Sequence, residues 1–116
     1  MDPSVDTNKA ILLMTNCSDE ASAIILARKL LEQKLAACVN ILPRVRSMYH
    51  WQGEIVSEDE FTVLIKTVRA RYAELAQMIN VLHPYEVPEI IALPIIAGSA
   101  EYLEWLIQET SRDEDV

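Results

Sequence analysis

The chain has 116 residues, of which 51% are hydrophobic and 24% charged, and it carries a formal net charge of −8. This length fits one domain with a modest core, and the composition is that of a globular protein rather than a disordered chain. The negative charge argues against general nucleic-acid binding, and no apolar run reaches the roughly 20 residues that a membrane-spanning helix needs.

The first third of the chain predicts a strand, a helix and a second strand. Residues 10–15 (AILLMT) form a continuous apolar run, which is typical of a strand buried on both faces. Ser18 or Asp19 can cap the helix that follows, because short polar side chains accept hydrogen bonds from the free N–H groups of a first turn. The apolar residues that recur at helical spacing in this helix are Ile24, Ala27, Leu30, Leu31 and Leu35. Residues 35–42 (LAACVNIL) then predict a buried strand, which Pro43 interrupts.

The middle of the chain predicts a long β-hairpin. Strict alternation places one set of side chains on one face, namely Val45, Ser47, Tyr49 and Trp51. Gln52 and Gly53 predict the turn, because glycine tolerates a positive φ. The return strand is expected from residue 54 to about residue 67, with alternating apolar side chains.

The predicted hairpin is longer than the helices that could cover it. A strand of about 14 residues spans roughly 46 Å, whereas a helix of about 15 residues spans roughly 22 Å. Monomers seldom leave such a patch and two free sheet edges in water, so we expect the hairpin to pack against neighbouring subunits. The alternative is a bulge that bends the hairpin back onto its own domain.

The second half of the chain predicts a helix, a strand and a third helix. Residues 69–82 show helical spacing of apolar residues, and two prolines stiffen the loop at residues 83–89. Residues 90–97 predict the last strand, which Pro94 places near a sheet edge or a bulge. The residues of the third helix that we expect to face the core are Tyr102, Trp105 and Leu106.

The order β-α-β-β-α-β-α predicts an α+β fold, a ferredoxin-like βαββαβ sandwich with two helices on one sheet face and an additional C-terminal helix. We expect residues 9–110 to form the single domain. Residues 1–8 are predicted to be a flexible N-terminus, and residues 111–116 a frayed acidic tail.

Five segments in this order carry a family resemblance. They are residues 34–41 (KLAACVNI), 47–55 (SMYHWQGEI), 64–67 (LIKT), 83–90 (HPYEVPEI) and 102–106 (YLEWL). Together they resemble the CutA family of divalent-cation tolerance proteins over about residues 9–109. The resemblance implies a tight homotrimer in which strands of neighbouring subunits complete one another's sheets. It also implies a role in tolerance of copper and other divalent cations, and a likeness to the trimeric PII signalling proteins, whose ligands lie between subunits.

Metal binding is the first candidate activity. Thiolate and imidazole are the side chains that copper prefers, and Cys17 and His83 both lie in predicted loops that this fold can bring to one end of the sheet. We therefore predict a weak site at Cys17 and His83, and the N-terminus of the first helix could lower the pKa of the thiol. The resemblance places Thr15 and Leu82 where copper-binding bacterial relatives carry a thiol and a histidine. The alternative for His83 is a helix-capping side chain that hydrogen-bonds the loop.

An inter-subunit cleft is the second candidate. Lys66 ends an otherwise apolar strand, and burying its charge requires a partner such as Glu89 or Glu60. The residues predicted to line this cleft are Tyr49, Trp51, Lys66, Tyr85 and Glu89. Such a cleft would bind a small anion or metabolite. The alternative is a structural ion pair between Lys66 and Glu89 that fixes the register of the subunits.

The remaining cysteine and the acidic run in the hairpin do not predict a functional site. Cys38 is expected to be a small core residue, and residues 58–60 (EDE) a solvated acidic patch. The sequence contains no nucleophile elbow and no phosphate loop, so we predict that the protein is not an enzyme. No obligatory cofactor is expected, although Cu(II) or another divalent cation could bind. Without a predicted signal peptide or membrane segment, the expected location is the cytoplasm.

We expect the chain to act as a homotrimer in the tolerance of divalent cations. The alternative is a PII-like trimer that binds a small ligand and has no direct metal function.

Overall fold

The computed structural model describes residues 9–83 and 85–112. Its elements are β1 (Ala10–Cys17), α1 (Glu20–Glu32), β2 (Cys38–Trp51), β3 (Glu54–Val68), α2 (Tyr72–Leu82), β4 (Ile91–Pro94) and α3 (Ala100–Glu109). One 3-10 turn, Arg69–Arg71, leads into α2. The predicted α+β fold and its element order are confirmed.

The four strands form one antiparallel sheet in the order β2-β3-β1-β4. The helices α1 and α2 cover one face, where their apolar side chains meet those of the two central strands in one core that includes Leu13, Leu30, Ile65 and Ile79. The two edges are β2 and β4, and Pro94 ends the edge strand β4. This position suits a proline, because an edge strand has a side on which no N–H needs a partner.

The β2–β3 hairpin is longer than the helices, as the sequence predicts. Its strands have 14 and 15 residues, against 13 residues in α1 and 11 in α2. A register shift between Leu42 and Val45 marks a β-bulge, and the molecule measures 50 × 26 × 23 Å. Gln52 and Gly53 have φ values of 50° and 79°, and two positive φ angles are what a type I′ hairpin turn requires.

Several predicted details differ from the structure. The last strand spans Ile91–Pro94 rather than residues 90–97. The second strand begins at Cys38 rather than at Leu35, because the N–H of Leu35 bonds the carbonyl of Leu30 and so belongs to the end of α1. Ile24 and Leu31 are each 42% exposed, because α1 turns Ala23, Leu26, Ala27 and Leu30 to the core instead. Cys38 is half-buried at the start of its strand rather than enclosed in the core.

The end of α1 has a Schellman motif with an unusual residue in the left-handed position. Leu35 N–H donates to the Leu30 carbonyl at 2.9 Å, and Lys34 N–H donates to the Leu31 carbonyl at 3.1 Å. Lys34 therefore takes φ 57°, which glycine adopts without the steric cost that a Cβ brings.

Lys34→Gly is expected to raise the free energy of unfolding by about 1 kcal/mol, because the strain of the left-handed position disappears. Lys29→Gly, in the last turn of the same helix, is the matched control and should lower it by up to about 1 kcal/mol. Urea unfolding of both variants checks this pair. If both variants lose the same free energy of unfolding, the backbone at residue 34 is not strained.

The sheet face opposite α1 and α2, called the open face below, is only partly covered. At one end α3 packs on it through Leu106, which meets Ala10 and Val68. Leu106 is buried as predicted, but Tyr102 and Trp105 lie at the surface, because a single helix covers only this end. Elsewhere on the open face, the strand register aligns these apolar side chains: Leu12, Met14, Leu42, Leu64, Ile91 and Leu93.

The chain ends lie mainly outside the described residues. This holds for residues 1–8 and 113–116, where flexible and frayed segments are predicted. Arg112, the last described residue, donates two hydrogen bonds to Glu74 at 2.9 and 3.1 Å. None of the described helices combines the length and the hydropathy that crossing a bilayer requires.

Candidate functional site

The loop that follows α2 is fixed to the end of β1 by His83. This histidine is buried at the C-cap of α2, where its Nε2 hydrogen-bonds the carbonyl of Asn16 and its Nδ1 accepts the N–H of Tyr85 at 3.1 Å. Only the neutral ring with its proton on Nε2 satisfies both bonds, because a backbone carbonyl accepts and a backbone N–H donates. The capping and loop-bonding interpretation of His83 therefore matches the geometry.

Cys17 is the last residue of β1 and is buried. Burial, together with the nearby charges of Asp19 and Glu60, raises the pKa of its thiol to about 11. The expectation that the start of α1 lowers this pKa was wrong. Asp19 caps that helix by accepting the Ser22 N–H at 2.7 Å, and its carboxylate disfavours a second negative charge.

Asn16 connects the strands to the loop. Its side-chain oxygen accepts the hydroxyl of Thr62 at 2.7 Å, and its amide nitrogen donates to Glu89 at 3.1 Å. Across the same end of the sheet, the Tyr85 hydroxyl donates to Glu60 at 3.0 Å. These bonds hold the loop after α2 against the open face.

A groove of about 440 Å³ lies between this loop and the hairpin. Its lining residues are Asn16, Tyr49, Trp51, Val56, Glu58, Glu60, Tyr85, Glu86, Val87 and Glu89. Four of the five residues predicted for the cleft, namely Tyr49, Trp51, Tyr85 and Glu89, are therefore brought together within a single chain.

Lys66, the fifth predicted cleft residue, lies elsewhere in this chain. Its ammonium nitrogen is 5.8 Å from the centre of the Tyr102 ring, toward the end of the open face that α3 covers. Glu60 is six residues away on the same strand, a distance of roughly 20 Å. Among the described residues, no ion pair joins Lys66 to Glu60 or Glu89.

Sequence reasoning missed the acidic floor of this groove. The three residues of the EDE run are not one solvated patch, since Asp59 pairs with Arg44 and Arg46 whereas Glu58 and Glu60 line the groove. The signal was the two-residue period of β3, which places alternate side chains on opposite faces.

The two tyrosines of the groove stay protonated well above neutral pH. Burial raises the pKa of Tyr85, and so do its hydrogen bond to Glu60 and the charge of that carboxylate. For Tyr49, burial also raises the pKa, followed by the effects of Glu58. Both hydroxyls are therefore neutral donors beside carboxylates.

The metal-ligating capacity of this end of the sheet is small. Within residues 9–83 and 85–112, no group of three or more His, Cys, Asp or Glu side chains is arranged to hold a metal ion. Cys17 and His83 do reach the same end, because the ring of His83 bonds the residue that precedes Cys17. Metal binding by this pair stays a prediction.

The fold and the site define a small ferredoxin-like α+β protein with an acidic, aromatic groove at one end of its sheet. The profile of the CutA1 divalent ion tolerance protein family matches residues 11–109. The chain belongs to this family.

Individual relatives agree with this assignment. The divalent-cation tolerance protein CutA of Thermus thermophilus is 47% identical over 100 residues, which cover 86% of this chain and 96% of the relative. A crystal structure of CutA from Xylella fastidiosa has a TM-score of 0.87 and 39% identity, covering 89% of this chain and 99% of that one. The CutA homolog of Danio rerio is 43% identical over 97 residues, and the match spans 84% of this chain and 65% of that protein.

Proposed function

We propose that this chain acts in the cytoplasm as a homotrimer in tolerance of divalent cations, copper among them, and that it binds the metal weakly at Cys17 and His83. The observation that carries the metal site is the bond between His83 and Asn16, because it brings an imidazole to the strand end that carries a thiol. Sulfur and imidazole ligands suit copper.

The same geometry explains why binding is weak. A metal needs the thiolate, and the raised pKa of Cys17 makes loss of that proton unfavourable at neutral pH. At His83, a metal on Nδ1 has to displace the N–H of Tyr85. Two protein ligands also leave the coordination shell to be completed by water, an acidic side chain or a neighbouring subunit.

Equilibrium dialysis of the full chain against Cu(II), with metal counted per chain, tests this site. His83→Ala and Cys17→Ala are each expected to weaken uptake roughly tenfold or more, because each removes a ligand. His50→Ala and Cys38→Ala are matched controls, since they remove a histidine and a thiol from the hairpin strand β2. Equal uptake by wild type and His83→Ala would remove His83 from the site.

The open face supports the proposed trimer. It exposes large apolar side chains on both edge strands, including Leu42, Ile91 and Leu93, and nothing else in the described chain covers them. Apolar area of this kind usually marks an interface, and free sheet edges are usually paired or protected.

A PII-like small-ligand trimer is the second candidate function. The groove favours it, because a cavity of about 440 Å³ has the size of a small-molecule site. Thermal unfolding in the presence of candidate small ligands separates the two functions, since a ligand that binds the folded chain stabilises it by RT ln(1 + c/Kd), where c is the free ligand concentration, and so raises its Tm as that concentration increases.

A further inference from the structure

The groove at the end of the open face has an unbalanced charge. Four of its lining residues carry carboxylates, namely Glu58, Glu60, Glu86 and Glu89, and none of its lining residues is basic. An anionic ligand was expected because Lys66 was predicted to line the cleft, but in this chain Lys66 lies toward the other end of the sheet. An anionic ligand would therefore be repelled, and the preference of the groove is for positive charge.

The walls of the groove are suited to an organic cation rather than to a hydrated metal ion. Tyr49, Trp51 and Tyr85 contribute three aromatic rings, and Val56 and Val87 add apolar surface. Aromatic faces attract ammonium groups through the ring quadrupole, and tryptophan does so most strongly. Apolar walls also remove the carbon skeleton of a ligand from water.

Glu60 gives an independent reason to expect a cation. Glu60 is 6% exposed, and no ion pair connects it to a basic side chain among the described residues. Its hydrogen bond comes from the neutral hydroxyl of Tyr85. A carboxylate at such depth is ordinarily compensated by a positive group, so a cation in the groove would supply the missing counter-charge.

We propose that this groove binds a small organic ammonium ion, with its charged head toward the aromatic rings, Glu58 and Glu60 and its carbon skeleton against Val56 and Val87. The cavity of about 440 Å³ admits a compact amine and lies within the usual size of small-molecule sites. This proposal goes beyond the metal role and does not depend on it, because it uses neither Cys17 nor His83 as a ligand.

Fluorescence titration of the full chain tests the proposal. Trp105→Phe removes the second of the two tryptophans, so the signal then reports Trp51 alone. The probes are phenethylammonium, its neutral analogue 2-phenylethanol and the anion phenylacetate. Saturable binding is expected for the ammonium ion, at least about tenfold tighter than for either analogue.

Glu60→Gln in the same background is expected to weaken phenethylammonium binding about tenfold, because the counter-charge is lost. The amide oxygen still accepts the Tyr85 hydroxyl, so the loop should keep its position. Glu101→Gln on α3 is the matched control, since it removes one negative charge outside the groove. The proposal is overturned if all three probes bind with equal affinity or if the two substitutions have equal effects. It is also overturned if no probe binds saturably because a neighbouring subunit fills the groove.

Discussion

Ile91→Glu is expected to convert the proposed trimer into monomers of 13.1 kDa. Ile91 lies on β4 in register with Met14, on the open face of the sheet. It is 46% exposed in the isolated chain, so a carboxylate there remains hydrated in the monomer. In an assembly that buries this face, the same carboxylate would lose its hydration without gaining a counter-charge, and this cost exceeds what most interfaces tolerate.

Light scattering during size-exclusion chromatography at micromolar concentration measures this effect. Ile25→Glu is the matched control, because Ile25 lies on the outer side of α1 and is 56% exposed. The control should keep the mass of the wild type, and circular dichroism should show the same helix content in both variants. If the wild type is already a monomer, or if Ile91→Glu keeps the wild-type mass, the open face is not the subunit interface.

Alkaline pH is expected to destabilise the fold through Cys17. The thiol has a reference pKa of 9.0 and a folded-state pKa of about 11. Between these values the unfolded chain has released the proton and the folded chain still holds it, so the free energy of unfolding falls as pH rises. The stabilisation is complete below pH 9.0 and is lost as pH rises through 11. Two pKa units correspond to a loss of up to about 3 kcal/mol.

Urea unfolding at about pH 8 and at about pH 10.5 measures this loss. Cys17→Ala should show a smaller fall between the two pH values than the wild type, because it has no thiol to titrate. Tyr49 and Tyr85 add a similar fall to both proteins, so the difference between them isolates Cys17. Cys38→Ala, which removes the half-buried thiol, should behave like the wild type. A fall that is the same in the wild type and in Cys17→Ala would show that the buried thiol does not couple to folding.

Much of the fold could be predicted because its signals are local. The buried run of β1, the cap at Asp19 and the turn at Gln52 and Gly53 each depend on residues within a few positions of one another. The family segments are local patterns as well, and they led to the family that the profile match confirms. The length of the hairpin relative to the helices could also be computed from the sequence, because rise per residue is fixed by backbone geometry.

The candidate site could be predicted only in part. Tyr49 and Trp51 share a face through a two-residue period, and the predicted residues Tyr85 and Glu89 join them in the groove from the loop after α2. Lys66 lies toward the other end of the sheet within the single chain, and its place in a cleft between subunits stays a prediction. The ends of an antiparallel strand lie far apart, and only the register shows which neighbours each end meets.

The sequence by itself therefore determined the order of the elements, the hairpin and its turn, and the family. Only the tertiary structure decided the hydrogen bonds and the pKa values of the candidate metal-ligating side chains. The bond between His83 and Asn16 joins residues 67 positions apart, and the pKa of Cys17 depends on its burial and on Glu60, on another strand. The physical reason is that desolvation and charge act through space, whereas helix, strand and turn signals act between neighbours along the chain.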